Sequence, residues 1–144
     1  MFLRLIVCSL LVSATVTILP GCGSQGGIQR ASVEGNVTVD GEPVDVGSIT
    51  FVPTGETKGP ATGGKIVDGE YAIESSGGPV PGEYLVQITG RRGTGKFKKQ
   101  ELEGEIVETE VTEEMIPEKY RSGSELKRTI EAGENSMNLE LTNE

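Results

Sequence analysis

From Ser32 onward, apolar residues recur at every second position in short runs, and each run closes on Gly, Pro or Asp. In Ser32–Val39 the residues Val33, Val37 and Val39 share one face, with Gly35 between them. Ile49 and Phe51 do the same in the next run, followed by Tyr71 with Ile73, then Tyr84, Val86 and Ile88, and finally Met137, Leu139 and Leu141. Successive strand side chains point to opposite faces, so this period predicts half-buried strands and excludes an amphipathic helix. The punctuation agrees. Gly accounts for 21 of 144 residues, about twice its ordinary share, which suits a turn-rich β protein. Asp68-Gly69, between KIV and EYAI, is the strongest hairpin signal, because a type I′ turn needs positive φ at both central residues. After Asp40-Gly41 the next apolar run starts late, which predicts a longer loop there. The expected core is Val37, Val39, Ile49, Phe51, Ile73, Val86, Ile88, Leu139 and Leu141.

Residues 90–118 interrupt this pattern. Gly90 to Lys99 holds Arg91, Arg92, Lys96, Lys98 and Lys99 with no acid, and Glu101 to Glu118 then holds eight acids with no base. Blocks of like charge are solvated as a rule, so the segment reads as an exposed excursion with one strand around Glu105–Val111. Two further roles for its bases are folding against the acidic half or reaching anionic headgroups.

The N-terminus reads as an export signal over residues 1–21. Arg4 precedes an apolar run of 15 residues, Leu5–Leu19, short of the ~18–20 that span a bilayer as a helix. The run ends in Leu19-Pro20-Gly21-Cys22, which resembles the bacterial lipobox; Pro20 departs from the usual small residue at its position. A Cys thiolate is the nucleophile that takes a diacylglycerol group as a thioether. Cys22 is the expected lipidation site, and residues 22–31 become a lipidated Cys with a flexible Gly/Ser/Gln tether. The other readings are an ordinary secretory signal ending near a Cys and a retained anchor helix, for which the run is short. With Cys8 removed and Cys22 acylated, the mature chain has no free thiol and no disulfide.

Composition narrows the function. Lys and Arg total 13 against 22 Asp and Glu, a formal net charge of −9. Nucleic-acid-binding domains show a basic face instead, so no nucleic-acid partner is expected. His is absent, which removes the commonest general base and metal ligand. Gly90-Arg-Arg-Gly-Thr-Gly-Lys96 copies seven positions of a phosphate-binding loop, but Phe97 stands where the Mg²⁺-holding hydroxyl belongs. No βα alternation accompanies it, and no nucleotide is expected. Ser124-Glu-Leu-Lys127 matches S-x-x-K without the companion motifs of penicillin-interacting enzymes. No cofactor is expected and no catalytic residue can be named. The remaining alternative is Ca²⁺, for which Asp40, Asp45 and Asp68 lie at loop positions rich in oxygen ligands, although no EF-hand spacing occurs.

The segments VEGNVTVDGEPVDVGSITFVP (33–53), KIVDGEYAI (65–73), PGEYLVQITGRRGTGK (81–96) and IPEKYRSGSELKRTIEAGENSMNLEL (116–141) together resemble small bacterial lipoproteins with a transthyretin-like domain, related to the carboxypeptidase regulatory-like domain. The resemblance covers nearly all of residues 32–141. It implies an antiparallel seven-stranded β-sandwich (transthyretin or prealbumin-like) over 32–144 and a cell-envelope location. The hormone-carrying and purine-pathway relatives use residues, notably His, that this chain lacks, so none of their sites transfers. Two functions follow as expectations. One is a non-catalytic module held to a membrane by its lipid, which contacts an envelope protein or a polysaccharide or serves a structural role as a surface spacer. The other is a small-ligand or Ca²⁺-dependent carbohydrate-binding domain using acidic loops with Tyr71, Tyr84 and Tyr120.

Overall fold

The structure, a computed structural model, describes residues 28–144. Leu19, Pro20, Gly21 and Cys22 lie outside the described residues, as does the whole signal segment. Ten strands follow in chain order: β1 (Ser32–Val39), β2 (Glu42–Pro43), β3 (Val46–Pro53), β4 (Thr62–Val67), β5 (Glu70–Ile73), β6 (Gly82–Leu102), β7 (Glu105–Glu114), β8 (Lys127–Ile130), β9 (Glu134–Ser136) and β10 (Leu139–Leu141). A single 3₁₀ turn at Glu118–Tyr120 is the helical content among the described residues. The chain is all-β.

The strands run in the order β10-β1-β5-β4-β3-β6-β7, with β2 and β9 on β1 and β8 on β6. Adjacent strands are antiparallel except at one place. β9 and β10 lie parallel to β1, pairing Val33 with Asn135 and Val37 with Leu139. The resemblance implied seven strands; the ten found include the two-residue β2 and the three-residue β9 and β10.

Alternation decides what is buried. All nine residues of the expected core are buried, joined by Val33, Val44, Ile66, Tyr84, Ile116 and Ile130. Leu139 and Leu141, from one end of the strand order, share one cluster with Val86, Ile88 and Ile130 from the other. Residues so distant in strand order meet only because the sheet curls over its own inner face. Tyr120, after β7, reaches Thr142, after β10, across that closure.

Turn chemistry accounts for the hairpins. Asp68 and Gly69 have φ of 51° and 81°, the type I′ pattern. Asp40 and Gly41 repeat it at 50° and 85°. The chain therefore reverses tightly there instead of forming the longer loop, and Glu42–Pro43 pairs straight back onto Val39–Thr38. The run that seemed to start late begins with Val44, which is fully buried.

Gly35 serves close approach rather than a turn. Met137 N–H donates to the Glu34 carbonyl at 2.8 Å, and a Cβ built on Gly35 would lie inside the contact distance of the Met137 carbonyl. Gly35→Ala is therefore expected to push β9–β10 off β1 and to cost ~1–3 kcal/mol, the usual range for overpacking. Gly77→Ala, with open space around it, is expected to stay within ~0.5 kcal/mol. Urea denaturation of the two variants side by side measures the difference.

Candidate functional site: a projecting charged ribbon

β3 pairs with β6 as far as Arg91; beyond it, the last 11 residues of β6 pair only with β7. At ~3.3 Å per residue, this two-stranded ribbon reaches ~36 Å past the end of β3. It closes on Glu103-Gly104, with φ of 53° and 88°. The expected exposed excursion is thus a regular hairpin, and its expected strand at Glu105–Val111 is β7. The two charge blocks fall on opposite strands: Arg91 faces Glu114, Arg92 faces Glu113, and Lys99 faces Glu108. Lys99 Nζ lies 3.4 Å from Glu108 Oε1. Opposite charges across a ladder favour pairing, so the blocks specify a ribbon rather than a loop.

The root of the ribbon is tied to the body. Arg92 Nε donates to Glu113 at 2.6 Å and Nη1 donates to Glu42 of β2 at 2.9 Å. The hydrogen bond and charge of Glu113, with a smaller contribution from Glu42, push the Arg92 guanidinium above its ordinary pKa. Just beyond, the register shifts between Gly93 and Phe97. Gly93 N–H donates to Asp45 Oδ2 (3.3 Å), Gly95 N–H to Glu110 Oε1 (2.9 Å), and the Thr94 hydroxyl to the Val111 carbonyl (2.6 Å). This bulge is where the phosphate-loop lookalike sits. Its amides meet the chain's own carboxylates, and no helix follows to complete a phosphate site.

The ribbon points away from the start of β1. Four antiparallel steps separate β1 from β6 in the sheet, so the two strands run in the same direction. Ala31 N–H donates to the Pro79 carbonyl at 2.8 Å, which places the entry to β1 beside the entry to β6. The ribbon tip is at the opposite end.

Four large apolar residues stand exposed on the ribbon: Phe97, Leu102, Ile106 and Val107. Sequence reasoning missed them because they are embedded in blocks of charge. The usable signal was Glu103-Gly104 as a hairpin turn, flanked by alternating residues on either side.

The other candidates are occupied elsewhere. Asp40 binds the backbone and side-chain nitrogens of Asn143. The Asp45 carboxylate takes the Gly93 amide, and Asp68 meets Asp45 only through a backbone bond of 2.8 Å. Among the described residues no cluster of His, Cys, Asp or Glu is placed to hold a metal. The Ca²⁺ trio is thus not assembled, since the Asp40 carboxylate is held by Asn143 and the Asp45 carboxylate by the Gly93 amide. Ser124 Oγ accepts the Leu126 amide at 3.2 Å, a local turn contact, and Lys127 is exposed on β8. An open groove lies beside Glu34, Asn36, Lys65, Asp68 and Glu70, with Tyr71 as the one aromatic residue in its lining.

The tyrosines are structural. Tyr84 is fully buried and donates to the Val80 carbonyl at 2.8 Å. Burial pushes its phenol up, opposed by that bond and by Arg30. Tyr120 accepts the Thr142 amide at 3.5 Å, which lowers its pKa, and the Lys119 ammonium lies 5.1 Å from its ring centre. Tyr71 donates to the Met137 carbonyl at 2.8 Å, and burial pushes its phenol from 10.0 to about 12. In the unfolded chain it ionises near its ordinary value. Its contribution is therefore complete below pH 10 and is lost as the pH rises to about 12. The expected loss is ~3 kcal/mol over that window. Tyr71→Phe should flatten this part of the stability curve, read as urea midpoint against pH.

No protein-family model matches the chain, and no curated protein or solved structure is significantly similar to it.

Proposed function

We propose that the protein is a non-catalytic lipoprotein of the bacterial cell envelope, cleaved after Gly21 and anchored by lipid on Cys22. Its body is a transthyretin-like β-sandwich in which the curled sheet supplies both layers. Its working part is the β6–β7 ribbon, which contacts another envelope protein or a polysaccharide. One observation carries this reading: the ribbon leaves the body at the end opposite the start of β1, with four exposed apolar residues on it. An anchored body then holds the ribbon out from the membrane that carries it. Soluble domains keep such residues scattered, and a concentration of them on one projection marks a contact surface.

A photo-crosslinking side chain at Ile106, introduced in the producing cell, tests this. Adducts are expected at Ile106 and not at Lys58, an exposed position on the loop between β3 and β4. Equal labelling at both sites, or none at either, would remove the ribbon from any role in contact.

A further inference from the structure

We propose that the outer edge of β7 takes a further strand from a partner protein, one in which Lys or Arg alternates with β-branched residues. The proposal rests on the reading of the ribbon as the contact element and names the chemistry of its partner.

The ribbon lacks what normally holds a sheet together. Nearly all of β7 is exposed, and two strands without a covered face or a third strand are only marginally stable in water. A further strand could enter beside β6 or beside β7. The β6 side is obstructed. Gly93 to Phe97 bulge out of register, Asp45 takes the Gly93 amide, and Arg92 is tied to Glu42 of β2. β7 is regular over its ten residues, and among the described residues it pairs with β6 alone. Edge strands are kept short or covered as a rule. This one is neither.

Hydrogen-bond direction fixes which groups face outward. Met115 N–H donates to the Gly90 carbonyl of β6 at 2.9 Å, and the Val111 carbonyl accepts the Thr94 hydroxyl of β6 at 2.6 Å. Odd-numbered residues of β7 thus turn their backbone groups to β6. Alternation turns those of Ile106, Glu108, Glu110 and Thr112 to the free edge.

A strand bonded there lays its side chains beside two rows. One row holds Glu108 and Glu110, and the other holds Val107, Thr109 and Val111. Cross-strand neighbours favour opposite charge in the first row and β-branched residues in the second. Glu108 Oε1 meets Lys99 at 3.4 Å and Glu110 Oε1 accepts the Gly95 amide. Among the described residues the second oxygen of each carboxylate has no partner, so both can receive a base. A row of outward amides and carbonyls at every second residue fits another strand and has no counterpart along a polysaccharide. A second copy does not fit either. Its β7 would set acid directly against acid, which destabilises a ladder, and its β6 edge is obstructed.

Two labelled peptides, one alternating Lys with Val and one alternating Glu with Val, test this by fluorescence anisotropy on the full chain in mild detergent. The Lys/Val peptide is expected to bind and the Glu/Val peptide is not. Glu108→Pro removes an outward N–H but no bond to β6, whereas Glu108→Gln removes the same charge and keeps that N–H. With unchanged circular dichroism, the Pro variant should bind at least ~10-fold more weakly than the Gln variant, about the worth of one hydrogen bond left unmade. Glu110→Lys, opposite Phe97, keeps every outward amide and should weaken binding in a salt-dependent way. A Lys/Val peptide that does not bind, equal binding of the two peptides, or equal affinity of the Pro and Gln variants overturns the proposal. The Ile106 crosslink separates it from the reading it rests on. An adduct lost in Glu108→Pro and kept in Glu108→Gln supports pairing at the edge. An adduct that persists in both, or that has twice the chain's mass, overturns it and leaves the ribbon as a contact element of another kind.

Discussion

Phe51→Ala is expected to cost ~3–5 kcal/mol, the range for emptying a large aromatic site in a core that only partly collapses. Phe51 is fully buried in β3, between Thr62 of β4 and Val86 of β6. Its ring meets Tyr84 edge-on, with centroids 6.2 Å apart and planes at 86°, a geometry that contributes beyond area alone. The alanine would leave a void next to a buried phenol already committed to Val80. Against a typical domain stability of ~5–15 kcal/mol, that loss is about a fifth or more of the whole. Val46→Ala, on the same strand but facing outward, is the control and should stay within ~0.5 kcal/mol. Urea midpoints of both variants measure the contrast, and equal shifts would show that β3 is not the centre of the core.

On the proposed lipid anchoring, Cys22→Ser is expected to release the protein from the membrane fraction into the soluble envelope fraction. An unprocessed, membrane-bound form would show instead that the apolar segment is an anchor helix. The hydroxyl of serine is too poor a nucleophile to take the diacylglycerol group, and without acylation the anchor is lost. Each buried CH₂ contributes ~0.8 kcal/mol, so two or three acyl chains hold a protein of this size firmly while none holds it at all. Fractionation with mass spectrometry of the N-terminal peptide reads the result. A Cys22→Ser protein that is cut at residue 21 and remains membrane-bound would show that something other than lipid attaches it.

The core was legible in the sequence because burial in a strand follows strict alternation. Each of the nine residues named from period two is inside. Tyr84 lies on the face that periodicity assigned it, and Asp68-Gly69 forms the turn its chemistry requires. The charged segment was only half legible. Periodicity there is carried by charge rather than by apolar residues, so a rule that equates like-charge blocks with solvated loops missed a ladder of opposite charges. Asp40, Asp45 and Asp68 show the reverse error. Their residue type fitted a cation, but Asn143 and the Gly93 amide, both far away in sequence, take up two of the carboxylates.

What the sequence determined by itself is whatever depends on neighbours a few residues apart: strand character, the inward face of each strand, and the Asp-Gly reversals. Strand count, the parallel return of β9 and β10 to β1, and the direction of the ribbon relative to the start of β1 were decided by tertiary structure alone. Each depends on partners brought together across the chain. Val37 meets Leu139, and Arg92 joins Glu42 to Glu113. Pairing energy depends on which strands become adjacent as the sheet curls over its core, and no local pattern of residues encodes that adjacency.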